Sequence, residues 1–164
     1  MKIFPIKKYS ITLITECSKA ISELKKETLS DGQFVSNWNK QTFIGVINNS
    51  DFEIKLSKKL YGGFCVLKGK LEKENGIIEI EINKTLKIIL LTLFLFPIFG
   101  FLISLIQNGF KNSTELLLPT LMFIIILRFG FIELGFRIIS KKGLKELTEI
   151  IGIEKIKNVA QHCV

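Results

Sequence analysis

Apolar and polar positions change their rhythm along the chain. Tyr9-Ser-Ile-Thr-Leu-Ile-Thr15 is β-rich and partly alternating, which predicts a strand. In Glu16–Thr28 the residues Cys17, Ala20, Ile21 and Leu24 fall on one face with charges opposite. That predicts a short amphipathic helix, capped by Thr15. Asp31-Gly32 marks a turn, and Gln33–Trp38 is a further candidate strand. The pattern then has period two. Phe43–Ile47 and Phe52–Leu56 flank Asn48-Asn-Ser-Asp51, a hairpin signal. Phe64–Leu71 and Ile77–Ile82 flank a second turn at Glu74-Asn-Gly76. Ile78, Ile80 and Ile82 share a face against Glu79 and Glu81, so one face is packed and the other wet, as in an antiparallel meander. Trp38 suits a core or domain edge better than a ligand clamp. Tyr61-Gly-Gly63 lacks the lysine-serine or lysine-threonine pair of a phosphate loop and predicts a turn or bulge.

Alternation then gives way to two apolar runs. Ile88–Ile106 holds 19 residues without a charge. As a helix it would be ~28 Å long, against ~30 Å for the hydrocarbon core of a bilayer. Pro97 lies inside it, tolerable as a kink in a membrane helix because neighbouring groups satisfy the freed carbonyl. Gly100 and Ser104 are four apart, a small-xxx-small pair that would admit close approach of another helix. A polar turn, Gln107–Glu115, follows, with Ser113 or Thr114 available as a cap. The second run, Leu116–Ile139, is uncharged only over the 12 residues Leu116–Leu127. Pro119 stands in its first turns, where a missing N–H costs little.

Arg128 and Glu133 interrupt this second run. On an α-helix they lie roughly 140° apart and do not face each other. Glu133 and Arg137, four apart, do. The first run has no acid, so two readings stand for Arg128. Either its guanidinium snorkels to lipid phosphates, or it is buried against a partner subunit, a backbone carbonyl or a water-filled path.

Charge at the flanks sets an orientation. Lys84 and Lys87 precede the first run, and Arg137, Lys141, Lys142 and Lys145 lie at the end of the second. The turn between offers Lys111 against Glu115. Positive flanks stay in the cytoplasm, so both termini are expected there. Beyond the runs, Ser140–Ile151 places Leu144, Leu147, Ile150 and Ile151 on one side, an amphipathic helix that would cover the sheet. Ile153–Ile156 is a candidate closing strand. Residues 1–84 then form a cytoplasmic α+β domain, 85–139 a transmembrane hairpin with spans about 86–106 and 116–137, and 140–164 a cytoplasmic helix and tail. The fold class is an α+β membrane protein: a small antiparallel β-meander with one N-terminal helix, a two-helix transmembrane hairpin, and a C-terminal amphipathic helix over the sheet.

The net charge of +8 divides evenly between residues 1–84 and 85–164, with lysines scattered among acids. An acidic inner membrane surface accounts for it, whereas nucleic acid would want a basic stripe with stacking aromatics. Cys17, Cys65 and Cys163 follow no metal-binding spacing, and His162 is the single histidine. No catalytic, cofactor-binding or metal-ligating set emerges.

The strand-turn-strand Phe43-Ile-Gly-Val-Ile-Asn-Asn-Ser-Asp-Phe-Glu-Ile54, the two apolar runs and Leu144-Lys-Glu-Leu-Thr-Glu-Ile-Ile151 come in an order that resembles uncharacterised small bacterial membrane proteins. In those a β-rich cytoplasmic region precedes a two-helix hairpin and a short terminal helix. The resemblance covers most of the chain, rests on arrangement rather than motif, and implies no activity. The expected function is a non-enzymatic inner-membrane protein. Its partners would be the bilayer, into which the hairpin anchors a small cytoplasmic domain, and a protein or lipid headgroup bound by that domain. The alternative is a homo-oligomeric pore or membrane-perturbation sensor that uses Arg128, Glu133, Pro97, Gly100 and Ser104.

Overall fold

A computed structural model describes residues 4–30, 41–57 and 61–159. The candidate strand Gln33–Trp38, the Asp31-Gly32 turn, His162 and Cys163 lie outside them, as do the side chains of Ser113 and Thr114. The fold is α+β. The chain divides into two compact units: Met1–Asn83 with Phe136–Val164, and Lys84–Gly135.

The first unit is built on a seven-stranded sheet in the order β2-β3-β4-β5-β6-β1-β7. The strands are β1 (Ile6–Leu13), β2 (Thr28–Ser30), β3 (Phe43–Asn48), β4 (Asp51–Leu56), β5 (Cys65–Glu72), β6 (Asn75–Ile82) and β7 (Ile153–Asn158). From β3 to β6 it is the expected meander. The added edge strand β2 departs from an all-antiparallel sheet, pairing parallel to β3 with Thr28 opposite Phe43. It follows directly on helix α1 (Cys17–Lys26), and Phe43 N–H donates to Glu27 O at that junction.

Two local expectations are corrected. The β5–β6 turn is Lys73-Glu74, since Glu72 already pairs with Asn75. Lys73 takes the left-handed conformation, at φ 53°. Gly76 lies inside β6, where Leu71 Cδ2 would stand 2.6 Å from any Cβ. The glycine serves close packing there instead of turning the chain. Helix α1 is preceded by Glu16 at its N-cap with no side-chain cap, so Thr15 does not fill that role.

Period-two alternation fixes which face is buried. Ile11, Phe43, Ile54, Leu67, Leu71, Ile78, Ile80 and Ile82 are all within 1 % of complete burial. Each such side chain is worth about 1.5–3 kcal/mol when removed from water. Over this face α1 buries Ala20, Ile21 and Leu24, and Cys17 Sγ–H points to Leu71 O at 3.7 Å. Helix α3 (Leu134–Ile151) packs here too. At Gly143 a Cβ would be 3.2 Å from Leu67 and 3.8 Å from Leu56. Phe136, Leu147 and Ile151 are buried along the same helix. It begins six residues ahead of the predicted Ser140, because the helix continues unbroken from the second apolar run.

The second unit contains helix α2 (Lys84–Ile125), interrupted at Gly109 (φ 74°, ψ 169°), followed by a π-helix, Ile126–Glu133. The nine-residue turn expected at Gln107–Glu115 is thus helical on either side of one break. Only glycine takes that backbone conformation readily. Two helical runs, Lys84–Gln107 and Glu115–Ile151, are long and apolar enough to cross a membrane.

Candidate functional site

Arg128 and Glu133 meet. Arg128 Nη1 lies 3.3 Å from Glu133 Oε2, and both side chains are largely shielded. This overturns the expectation that residues five apart point away from each other. The expectation assumed an α-helix, whereas i→i+5 closure in the π-helix brings residues five apart onto one face. Arg128 therefore has an ionic partner within its own helix. Its guanidinium also lies 5.6 Å from the centre of the Phe129 ring. Pro97 sits within α2. A Cβ at Gly100 would meet nothing within 4 Å, whereas Ser104 is buried.

The remaining chemistry lies on the uncovered face of the sheet. Registers place Val46, Glu53, Lys68, Glu79 and Lys8 in one row across β3, β4, β5, β6 and β1. A neighbouring row holds Asn48, Asp51, Lys70, Ile77 and Ser10. Charge alternates from strand to strand, so acids stand opposite lysines. Lys8 pairs with Glu79 at 3.0 Å, and Lys68 with Glu81 at 2.7 Å and Glu53 at 3.8 Å. The bond that Lys68 donates to Glu81 holds its ammonium above the ordinary lysine range, with the charges of Glu53 and Glu79 adding to the effect. Val46 and Ile77 stand out from this lattice, 50 % and 58 % exposed. Between them, floored by Gly69 and Phe52, runs an open groove of about 590 Å³. Sequence periodicity marks Glu79 and Glu81 as outward-facing, but the convergence of the row depends on register and strand order.

A second set lies under α3, on the covered face. Lys7 Nζ donates to the buried Ser140 Oγ at 3.4 Å and stands 5.5 Å from the centre of the Phe136 ring. On the solvent-exposed side of α3, Lys142 Nζ donates to Tyr61 Oη at 2.7 Å, a bond that raises its pKa. Burial pushes the Cys65 thiol up to about 12 and makes it a poor nucleophile. Among the described residues no three His, Cys, Asp or Glu side chains gather as a metal site would require. Searches against protein-family models, curated proteins and solved structures find no match to this chain.

Proposed function

We propose that this is a non-enzymatic protein of the bacterial inner membrane, in which two spans anchor a cytoplasmic sheet domain that binds a partner. Both termini face the cytoplasm, as the lysines and arginine flanking the spans direct. The observation that carries the reading is the asymmetry of the sheet. One face is filled by α1 and α3, while the other presents a groove rimmed by exposed Val46 and Ile77. Inside that groove Asp51, Glu53 and Glu79 nearly balance Lys68 and Lys70. Balanced charge favours a polar protein surface over an anionic lipid headgroup, which would select for uncompensated cations. The pairing of Arg128 with Glu133 lowers the support for a pore, since the arginine no longer demands a neighbouring subunit.

The test is the mass of the gently solubilised, tagged protein by light scattering, with bound detergent subtracted. The expected species is one copy with a second polypeptide. That polypeptide should be lost on the double change Val46→Glu and Ile77→Glu, and retained when the spans are exchanged for another two-span segment with the same flanks. A bare monomer that co-purifies with anionic lipid would point to a headgroup ligand. A discrete homo-oligomer, disrupted by Arg128→Leu, would sink the reading in favour of the pore.

A further inference from the structure

An eight-residue π-helix is unusual, since such geometry mostly appears as a single turn within an α-helix. Its place here is tied to a one-residue mismatch in the second run. Leading into it the more shielded apolar-face positions are Thr120, Ile124 and, at its first turn, Leu127, spaced by four and three as an α-helix requires. Arg128 is half-buried beside Leu127, and the next fully buried apolar position is Ile132, five residues on from Leu127. The wider turn absorbs the extra residue. Counted back from Ile132 along an uninterrupted α-helix, the shielded positions would be Arg128, Ile125 and Leu121. Ile125 and Leu121 are instead exposed, and Arg128 lies beside the stripe, within reach of Glu133.

We infer that Ile126–Glu133 is a register lock: the Arg128–Glu133 pair holds the second run in a π-turned register, and removing the arginine releases it into the α-helical one. The cause is the cost of shielding a charge. In the α-helical register Arg128 would enter the apolar stripe without Glu133 beside it, which membrane and core alike penalise. In the π register it stays on the flank, paired. With leucine at position 128 that penalty vanishes, and the ordinary i→i+4 ladder wins. Everything in the run ahead of the turn then rotates by about 100°, the angle of one residue.

The test reads which residues are sheltered, in full-length protein reconstituted into phospholipid vesicles. Single cysteines at positions 120, 121, 124 and 125, in a background without Cys17, Cys65 and Cys163, carry nitroxide labels. Collision with oxygen and with a water-soluble nickel chelate is measured. With Arg128 in place, labels at 121 and 125 should be the accessible pair. Arg128→Leu should exchange the ranking, sheltering 121 and 125 and uncovering 120 and 124. An unchanged ranking overturns the proposal. Deletion of Gly130 is the second arm. It shortens the step from Leu127 to Ile132 to four and makes Arg128 and Glu133 an opposite-charge i,i+4 pair on one face of an α-helix. The original ranking should survive in that background, with or without Arg128→Leu. An exchanged ranking after the deletion alone would also overturn the proposal. The vesicle format draws on the membrane reading, and the two quenchers keep the ideas separate. Outward labels reached by nickel rather than oxygen would count against the membrane, while the comparison of sheltered positions still decides the register.

Discussion

Gly69 in β5 lies opposite Phe52 in β4, and the Phe52 ring occupies the space that a Cβ at position 69 would need. Phe52 is 3 % exposed, so the ring has little room to swing aside. Gly69→Ala should therefore destabilise the sheet by about 1–3 kcal/mol, the usual cost of overpacking. Gly63→Ala, where nothing lies within 4 Å, should stay within about 0.5 kcal/mol of the parent. Chemical unfolding in detergent, followed by circular dichroism, separates the two. If both cost the same, the ring does not fill that site. Cys65 and Lys68 make a second residue-scale prediction, this one in pH. Burial raises the Cys65 pKa from 9.0 to about 12, and the Glu81 bond raises that of Lys68 above 10.5. Both groups hold their protons more tightly in the folded state. Their contribution is complete below about pH 9 and is lost as the pH climbs through their folded values. The unfolding midpoint should fall between pH 9 and 12, with a shallower slope in Cys65→Ala. A midpoint that rises over that interval would contradict the burial of this thiol.

At the scale of the element, helix α3 depends on its packed side. Leu147 is fully buried on the same helix that meets Leu67 and Leu56 at Gly143. Leu147→Ala should cost about 2–5 kcal/mol, the range for a core leucine whose cavity does not close. Lys145→Ala, on the exposed side and in a surface pair with Glu149, should cost no more than about 0.5 kcal/mol. Similar losses in both variants would show that the helix is not held by this face. Elements governed by a simple period were legible in the sequence. The alternation of Phe52–Leu56 and Ile78–Ile82 and the apolar stripe of α1 are present in the fold. Elements governed by what lies opposite were not. Strand β2 is three residues long, and its parallel partner is distant in sequence. The π-turn has no compositional signature, so an assumed 3.6-residue period set Arg128 and Glu133 apart when the backbone sets them together. The sheet groove has the same origin: Glu79 and Glu81 were readable as outward, but exposed Val46 and Ile77 were not, and the row from Val46 to Lys8 exists only once five strands are in register.

For the molecule as a whole, the decisive quantity is the sidedness of its charge. The two apolar runs carry basic residues at their outer ends, Lys84 and Lys87 on one and Arg137, Lys141, Lys142 and Lys145 on the other. Between the runs Lys111 is offset by Glu115. Translocating the ends would move six cations across the membrane, while translocating the connection moves one. Each lysine or arginine kept near the anionic cytoplasmic surface contributes about 1 kcal/mol, so the bias is several kcal/mol in favour of cytoplasmic termini. Cysteines placed singly at Ser113 and Lys145 would test this with a membrane-impermeant maleimide. Position 113 should react in cells whose inner membrane is intact, and position 145 only after that membrane is breached. Moving the bias should move the answer. Neutralising Lys141, Lys142 and Lys145 while adding three lysines around Asn112 should drive a fraction of the chains into the opposite orientation, with position 113 protected in that fraction. If the labelling pattern ignores this exchange, flank charge does not set the orientation. If both positions react equally in intact cells, the apolar runs do not cross the membrane, and the exposed leucines, isoleucines and phenylalanines along them require a protein surface to cover them instead.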